Sequence, residues 1–370
     1  MMPPAGRHLW LVKRRYMGQD LVTSPYGRYA EIPRRLAKSA ETLILCLDYQ
    51  GGAFERREDP SGLVIESYPL RALHKLLTRA RAWAREQPDT VIIGGSDSPY
   101  AILASLVSTL SGAPYVLDYY DDYRTFASAR LPLMPTLAHR AARRARSLVA
   151  FDARLATALG PDLGRAFSVV PNGIDTTRFR PGDRRAARAA LGLPEEARII
   201  GYVGAIMSDR NMSDIFESVR RLRADDPNVL LVLAGPHDAR VTLPGDGMRY
   251  LGTLPHDQVP DLIAAADVLT ATVRLDGSAG ISFPVKVMEY IACKRPFVTP
   301  AEGGALDYLP DFPDYLYDVG HPETLTRQLA QLLARDDHAF PDVITWDDAA
   351  AGFAATLDAP VEKGGAPCPA

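Results

Sequence analysis

The chain has 370 residues, with 42 basic and 45 acidic side chains that give a formal net charge of −3. This length is typical of two domains, and 47% apolar residues supply enough material for two hydrophobic cores, which excludes a disordered chain. The near-neutral charge argues against a protein that binds nucleic acid through bulk charge, and three dispersed cysteines exclude a disulfide framework or a zinc cluster.

The predicted localisation follows from three features of the sequence. The apolar residues 9–12 precede the basic residues 13–15, which is the reverse of the order in a signal peptide. The sequence has no run of about 18 apolar residues, the length needed to span a bilayer. The scarcity of cysteine indicates a reducing compartment. We therefore predict a cytoplasmic protein that can lie peripherally at the inner face of a membrane.

The first half of the chain alternates short β-rich runs with helical patterns. The predicted strands cover residues 8–13, 42–47, 63–66, 90–93, 115–118, 147–150 and 167–170. The predicted helices cover residues 28–40, 70–86, 100–110, 135–145 and 153–159. Short strands separated by helices are typical of a parallel sheet with crossover connections.

The second half repeats this alternation. Its predicted strands cover residues 198–203, 229–234, 248–250, 268–271, 296–299 and 315–317. Its predicted helices cover residues 184–191, 212–224, 258–265, 284–292, 322–334 and 346–357. Each half is therefore predicted to form its own doubly wound sheet.

Proline and glycine concentrate between residues 171 and 194, as expected of a hinge between domains. We predict an α/β architecture of two facing Rossmann-like, doubly wound parallel-sheet domains over residues 1–173 and 174–345. A C-terminal helix over residues 346–359 is predicted to pack back toward the first domain, and the Gly/Pro/Ala-rich tail 360–370 to be disordered. Ligands of such sheets bind beyond the carboxyl ends of the strands, so we expect the site in the cleft between the domains.

Several common ligand motifs are missing from the loops. Neither G-x-G-x-x-G after a strand nor G-x-x-x-x-G-K-S/T occurs, so the dinucleotide and P-loop NTPase interpretations lose their main support. The seven histidines include no metal-binding pair at i, i+4 spacing, and we predict no metal site. A small-residue loop does open the first helix, and it can bring backbone N–H groups to an anion, or be an ordinary turn. The candidate residues of this acceptor or phosphate loop are Ser24, Tyr26, Gly27 and Arg28.

The most specific signals are four segments in a fixed order. Residues 169–181 read V-V-P-N-G-I-D-T-T-R-F-R-P, residues 250–256 read Y-L-G-T-L-P-H, residues 284–292 read P-V-K-V-M-E-Y-I-A, and residues 346–347 read W-D. Together they resemble glycosyltransferase family 4, the bacterial group 1 glycosyltransferases of the GT-B fold. The resemblance covers about residues 174–357 and rests mainly on element order in the first domain.

The resemblance implies transfer of a sugar from a nucleoside-diphosphate donor to a hydroxyl acceptor, usually with retention and without an obligatory metal or other cofactor. The donor is expected mainly on the second domain, and the acceptor, a saccharide or a lipid-linked saccharide, is expected to approach from the first. We accordingly expect a hexosyltransferase of cell-surface polysaccharide or glycolipid synthesis that binds no nucleic acid.

The donor residues implied by the resemblance lie in the second domain. Glu289 matches the carboxylate that binds the donor ribose, a role that suits an acceptor-only group. Lys286, one helical turn earlier, is expected to touch the diphosphate or to position Glu289; the alternative is a surface ion pair between the two. Arg210 stands where many relatives carry a diphosphate-binding lysine, and we also expect it to act in catalysis. The remaining donor candidates are the loop residues Gly204, Ser282 and Phe283.

The chain departs from the family pattern at several positions. Ala205 stands where an arginine is usual, Asn211 where a glycine is usual, and Ile281 where the first acid of E-x7-E is usual. The departures at Ala205 and Ile281, together with Tyr120 at a position where the family has histidine, support an alternative, a catalytically weak GT-B homologue that acts as a binding or assembly partner. A nucleotide-sugar epimerase is a third interpretation, which the P-N-G-x-D and W-D segments disfavour.

In the first domain, residues 115–123 read Y-V-L-D-Y-Y-D-D-Y and resemble the family's P-x-V-x-D-x-H strand end. Tyr120 occupies the histidine position, and we predict that Tyr120 and Asp121 are catalytic-site residues. The alternative is a solvated acidic turn with Tyr119 in the core. A basic helix around residues 139–146 is predicted to lie on anionic lipid, the alternative being a solvated arginine-rich helix.

Overall fold

The computed structural model describes residues 6–16, 19–95, 97–273, 275 and 285–357. The chain forms two compact units: the first comprises Met1–Gly173 and Ile344–Ala370, and the second comprises Ile174–Val343. Both are α/β units built on largely parallel sheets. None of the described helices is long and apolar enough to cross a membrane.

The first unit is built on an eight-stranded sheet in the order β10-β9-β8-β7-β1-β4-β6-β5, parallel except for the antiparallel edge strand β5. A short antiparallel hairpin, β2–β3, follows β1. The strands are β1 (Arg7–Lys13), β2 (Arg15–Tyr16), β3 (Gln19–Asp20), β4 (Glu41–Asp48), β5 (Glu55–Glu58), β6 (Val64–Pro69), β7 (Thr90–Gly95), β8 (Tyr115–Tyr119), β9 (Ser147–Ala150) and β10 (Ser168–Val169). Sequence patterns did not predict β2, β3 or β5.

Helices cover both faces of this sheet. They are α1 (Arg28–Leu36), α2 (Leu73–Arg85), α3 (Ser98–Ser111), α4 (Met134–Arg144) and α5 (Ala153–Leu163). Side chains of β1 alternate between the two cores, because Trp10 and Val12 lie in one hydrophobic cluster and Leu9 and Leu11 in the other. A central strand buried on both faces reads as a continuous apolar run, as β1 does.

The second unit has a six-stranded, wholly parallel sheet in the order β13-β12-β11-β14-β15-β16. Its strands are β11 (Arg198–Val203), β12 (Val229–Ala234), β13 (Met248–Tyr250), β14 (Val268–Thr270), β15 (Phe297–Pro300) and β16 (Leu316–Tyr317). Its helices are α6 (Arg184–Ala190), α7 (Met212–Asp225), α8 (Val259–Ala265), α9 (Val285–Ala292), α10 (Gly304–Tyr308) and α11 (Pro322–Leu333). The short helix α10 was not predicted.

The last described helix, α12 (Trp346–Leu357), belongs to the first unit. Its Phe353 stacks on Trp10 of β1 with ring centroids 5.1 Å apart. The carbonyl of Leu357 accepts a hydrogen bond from Arg146 at 3.0 Å. The chain therefore completes the first core only after passing through the second unit. The predicted tail 360–370 lies outside the described residues.

Candidate functional site

Two glycines mark the carboxyl edge of the sheet in the second unit. Gly204 follows β11 and Gly235 follows β12, with φ values of 148° and 139° that favour glycine. Their backbones touch, because a Cβ on Gly235 would lie 2.0 Å from the Gly204 carbonyl oxygen. The Gly204 N–H also donates to the Ala234 carbonyl at 2.8 Å. At this edge of the sheet the backbones of Gly204 and Gly235 are in contact, and a larger residue at either position would prevent that contact.

The Lys286 ammonium lies directly against Gly204. A Cβ at Gly204 would lie 2.1 Å from Lys286 Nζ, so the absence of a side chain there makes room for the cation. The same Nζ lies 5.0 Å from the ring centroid of Tyr202, a cation–π contact. Helix α9 thereby places one positive charge at the glycine loop after β11.

Glu289 lies one turn further along α9 and is half-buried. Burial raises its pKa to about 7, against the opposing charges of Lys286 and Arg178. The structure has no ion pair between Lys286 and Glu289, so it does not form the surface ion pair considered as an alternative. Arg178 was not singled out from the sequence, although it lies within the P-N-G-x-D segment. Its position near Glu289 makes it a further residue of this site.

Arg210 lies near the same edge, and its guanidinium makes few hydrogen bonds. Its Nη1 is 3.5 Å from Thr272 Oγ1, and its buried Nε has no hydrogen-bond partner within the described part of the chain. Thr272 follows β14 and also contacts the Tyr202 hydroxyl at 3.0 Å. Tyr202 therefore contacts both Lys286 and Thr272, and so connects Lys286 to Arg210.

Asn211 is a positioning residue that sequence reasoning recorded only as a departure from the family pattern. It is buried, its Oδ1 accepts the Val273 N–H at 3.0 Å, and its Nδ2 donates to the Tyr317 hydroxyl. It thus ties the loop after β14 to β16 and to the start of α7. The available sequence signal was an asparagine at the N-cap of α7 with Asp214 in the first turn of the helix.

The donor candidates Ser282 and Phe283, and the departure Ile281, lie outside the described residues. Of the described donor candidates, the structure brings Gly204, Lys286 and Glu289 together, and connects Arg210 to them through Thr272 and Tyr202. Within the described residues, no group of three His, Cys, Asp or Glu side chains is placed to hold a metal ion.

In the first unit, Arg28 is fully buried and forms an ion pair with Asp118 at the end of β8. The two groups make three contacts of 2.8–3.1 Å, and Arg28 Nη1 also donates to the Val170 carbonyl at 2.8 Å. The sequence placed Arg28 in a phosphate loop. Its side chain instead holds α1 against β8 and the end of β10, because a buried charge requires a partner.

Tyr120 packs among aromatic rings and is half-buried. Its ring lies 5.5 Å from Tyr16, 5.8 Å from Tyr29 and 5.6 Å from Phe151. Burial raises the pKa of Tyr120 to about 12, so its hydroxyl stays neutral and cannot act as a base near pH 7. Tyr119, considered for the core, is partly buried and stacks on Tyr123 at 5.3 Å.

The remaining acids of this strand end have different environments. Asp122 is buried, caps the turn Tyr123–Thr125 and pairs with Arg124 at 2.8 Å. Asp121 is half-buried and accepts the Asp122 N–H at 2.8 Å. All three acids at this strand end therefore have contacts within the first unit.

The predicted loop before α1 is held by backbone contacts. The exposed Ser24 donates its N–H to the Asp20 carbonyl at 2.9 Å. Gly27, with φ 74°, is the N-cap residue of α1, and its carbonyl accepts the N–H groups of Ala30 and Glu31. Tyr26 is partly exposed. Ser24, Tyr26 and Gly27 thus lie just ahead of the N-terminus of α1, whereas the Arg28 side chain turns into the core.

The second unit is similar to a known family of glycosyltransferases. Residues 183–340 match the family described as glycosyl transferases group 1. This match lies within the second unit and covers less than half of the chain. The chain is 30% identical over 174 residues to D-inositol 3-phosphate glycosyltransferase of Stackebrandtia nassauensis, covering 42% of this chain and 38% of that protein. It is 27% identical over 353 residues to 2-deoxystreptamine N-acetyl-D-glucosaminyltransferase of Streptomyces fradiae, covering 83% and 82%.

Solved structures of glycosyltransferases share the fold of this chain. Sucrose-phosphate synthase from Thermosynechococcus elongatus matches with a TM-score of 0.67 and 14% identity, over 96% of this chain and 95% of that chain. HepE of Anabaena in complex with UDP-glucose matches with a TM-score of 0.64 and 17% identity, over 95% of each chain. The predicted GT-B fold, two Rossmann-like units with parallel sheets, is confirmed.

Proposed function

We propose that this chain transfers a glycosyl group from a nucleoside-diphosphate sugar to a hydroxyl acceptor. The observation that carries the proposal is the contact of the Lys286 ammonium with the Gly204 backbone, at the carboxyl edge of a parallel sheet. Phosphate groups bind where a loop without side chains lets them reach backbone N–H groups and where a cationic side chain lies nearby. The solved HepE complex with UDP-glucose, which shares the fold, supports a donor of this class.

The described residues of the second unit have separate roles in this proposal. Lys286 and Arg210 would hold the diphosphate, and Glu289 would accept hydrogen bonds from the ribose diol. In the reaction the anomeric C–O bond to the diphosphate breaks and a C–O bond to the acceptor oxygen forms. The nucleoside diphosphate leaves with the bonding electron pair, and the acceptor hydroxyl passes its proton to a phosphate oxygen of this leaving group. The two cations stabilise the charge that grows on the leaving group.

We further propose transfer with retention of configuration, as the resemblance over residues 174–357 implies, and an acceptor that binds the first unit at the carboxyl end of β8. Asp121 and Tyr120 are the proposed acceptor contacts. Tyr120 would act as a neutral hydrogen-bond donor in place of the usual histidine, and its ring would face the C–H patches of a sugar.

We also propose that the acceptor is lipid-linked, a substrate of cell-surface glycan synthesis met at an anionic membrane. Helix α4 and the turn before it expose Leu131, Leu133 and Leu137 at 53%, 71% and 41% of their surface. Arg143 and Arg144 are exposed in the last turn of the same helix. Exposed leucines beside arginines suit an interface of acyl chains and anionic headgroups.

The test is calorimetric donor binding followed by an assay for nucleotide release. UDP-, GDP- and dTDP-sugars are titrated into the full chain, and release is then measured with saccharide and lipid acceptors. We expect one donor class to bind, and Glu289→Gln and Lys286→Gln each to weaken it about tenfold or more, the scale of a lost charged hydrogen bond. Lys75→Gln, an exposed lysine of the first unit, is the matched control.

The outcomes separate transfer from its alternative. Nucleotide release that depends on acceptor supports the proposal, and the anomeric configuration of the product then decides retention. Tight donor binding without release, across donors and acceptors, favours the catalytically weak binding partner. Donor affinity that is unchanged in both variants contradicts the proposed donor site.

A further inference from the structure

A cavity of about 360 Å³ lies at the amino edge of the sheet in the second unit. It is lined by residues of α6, of the start of β11 and of the segments that follow α9 and α11. Arg198 lines it at the first residue of β11, whereas Gly204 follows the last residue of that strand. At ~3.3 Å per residue, Arg198 and Gly204 are roughly 20 Å apart. The cavity is therefore separate from the proposed donor site.

The lining of this cavity is rich in cations. Its lysine and arginine residues are Arg184, Arg188, Arg198, Lys294, Arg295 and Arg335. Its carboxylates are Glu195, Glu196, Asp267 and Asp336. Asp267 already binds both Arg184 and Arg188 at 2.7 Å, and Glu196 and Asp336 are exposed to solvent. Arg198 and Arg335 pair with carboxylates outside the lining, Asp226 and Asp314.

Arg295 lines the cavity and forms no ion pair with a carboxylate in the described part of the chain. It is half-buried, and its one side-chain hydrogen bond in the described structure is a 3.4 Å contact with the Gly182 carbonyl. Burial and the charges of Arg184 and Arg188 lower its pKa, against the opposing charge of Asp267. A guanidinium in such a position has most of its donors available for an anion.

Lys294 stands beside it in a conformation that lysine seldom adopts. Its φ is 52°, in the left-handed region, at the end of α9. This residue closes the C-terminus of α9: its N–H donates to the Ile291 carbonyl at 3.0 Å, and the next N–H, of Arg295, donates to the Tyr290 carbonyl at 3.1 Å. The Lys294 ammonium is 5.4 Å from the Phe340 ring centroid, and this part of the structure gives it no carboxylate partner.

His338 adds a polar atom to the same lining. Its Nδ1 is buried and has no hydrogen-bond partner within the described residues. Burying such a nitrogen costs free energy unless a ligand or a water molecule forms a hydrogen bond with it. Arginine, lysine and imidazole groups around one cavity form the donor set typical of sites for phosphoryl groups.

We propose that this cavity binds a small phosphoryl-bearing anion, held by Arg295 and Lys294 with His338 as a further hydrogen-bond partner. The planar fork of Arg295 suits two phosphoryl oxygens, and Lys294 adds a point charge. The ligand is an effector separate from the donor, because it occupies the opposite edge of the sheet. The inference does not depend on the proposed transfer reaction.

The experiment uses inorganic pyrophosphate as the probe and the full chain at low ionic strength. Calorimetry gives the affinity, and the imidazole NMR signals of ¹⁵N-histidine-labelled protein report the position, with the His338 signal assigned through His338→Gln. We expect saturable binding that shifts the His338 signal. Arg295→Gln should weaken this binding at least tenfold, whereas Arg327→Gln, an exposed arginine outside the lining, should leave it unchanged.

A variant at the donor edge distinguishes the two possible sites for pyrophosphate. Arg210→Gln should leave the His338 shift and its midpoint unchanged. The proposal is overturned if the His338 signal of the unmodified chain stays in place at saturating pyrophosphate, a result that needs no variant to fold. It is also overturned if Arg295→Gln binds as tightly as the unmodified chain, or if Arg210→Gln abolishes the His338 shift.

Discussion

Glu289 is the residue whose ionisation decides how the proposed donor site works. Burial favours its neutral form, while Lys286 and Arg178 favour the carboxylate, and the balance sets its pKa to about 7. A carboxylate accepts two hydrogen bonds from a ribose diol, whereas a protonated carboxyl group uses one oxygen as a donor. Donor affinity should therefore depend on pH in the neutral range.

We predict that affinity for a nucleoside-diphosphate sugar rises as the pH increases from 6 to 8. With a pKa near 7, the ionised fraction of Glu289 goes from ~10% to ~90%, so the affinity should rise up to about ninefold. Calorimetric titrations at several pH values measure this change. Glu289→Gln should give weaker, pH-independent binding, and an equally steep pH dependence in that variant would contradict the assignment.

The same group has the opposite effect on folding. A carboxyl group with a raised pKa in the folded state stabilises the fold fully below its unfolded-state pKa of about 4.5. That contribution is lost as the pH rises through 7. The carboxylate that favours donor binding is thus the less stable form of the empty unit, and a bound donor would offset this loss.

Sequence motifs identified some residues of the candidate site but did not predict the contacts of others, for a physical reason. Lys286 and Glu289 were found because one short helical segment carries both. The pair formed by Arg28 and Asp118 joins positions 90 residues apart, and only the folded sheet brings them together. Arg28 looked like a loop residue because its surroundings are set by β8 and β10, not by its neighbours in sequence.

At the scale of elements, α4 and the turn before it expose the leucines Leu131, Leu133 and Leu137 together with Arg143 and Arg144. If this surface lies on a membrane, its leucines should enter the headgroup region and its arginines should meet anionic lipid. Binding to vesicles that contain an anionic phospholipid should then exceed binding to neutral vesicles, and added salt should weaken it.

We predict that Leu133→Ser combined with Leu137→Ser lowers cosedimentation with anionic vesicles at least fivefold, since each leucine contributes on the order of 1 kcal/mol when buried in the interface. Both side chains are exposed, so the melting temperature should change little. Leu70→Ser, a leucine of the first unit that is 48% exposed, serves as the control. Equal loss in the control, or no binding by the unmodified chain, would contradict the membrane surface.

Which elements the sequence predicted depends on how each is buried. The apolar strands β1, β4, β11 and β12 lie within two residues of their predicted ends, because central parallel strands are apolar throughout. Strand β5 reads E-R-R-E and pairs at an exposed antiparallel edge, so no apolar pattern marks it. Helix α10 spans only Gly304–Tyr308 and is too short to show a helical period.

At the scale of the whole molecule, the order of the chain makes the first unit discontinuous and the second continuous. Trp10 near the N-terminus and Phe353 near the C-terminus complete one core, with Arg28 5.8 Å from the Phe353 ring. The three tryptophans, Trp10, Trp83 and Trp346, all lie in the first unit. Intrinsic tryptophan fluorescence therefore reports on the unfolding of that unit.

We predict that Phe353→Ala destabilises the first unit by roughly 3–5 kcal/mol, because it leaves a cavity beside Trp10. Urea titrations followed by tryptophan fluorescence should show an earlier transition, while calorimetric donor affinity of the second unit changes little. Phe297→Ala, a fully buried phenylalanine of β15, is the matched variant in the second unit. It should weaken donor binding and shift the far-ultraviolet circular dichroism transition, but leave the fluorescence transition in place. An equal fluorescence shift in both variants would mean that the two units unfold as one cooperative body, and the separation of stabilities argued here would be wrong.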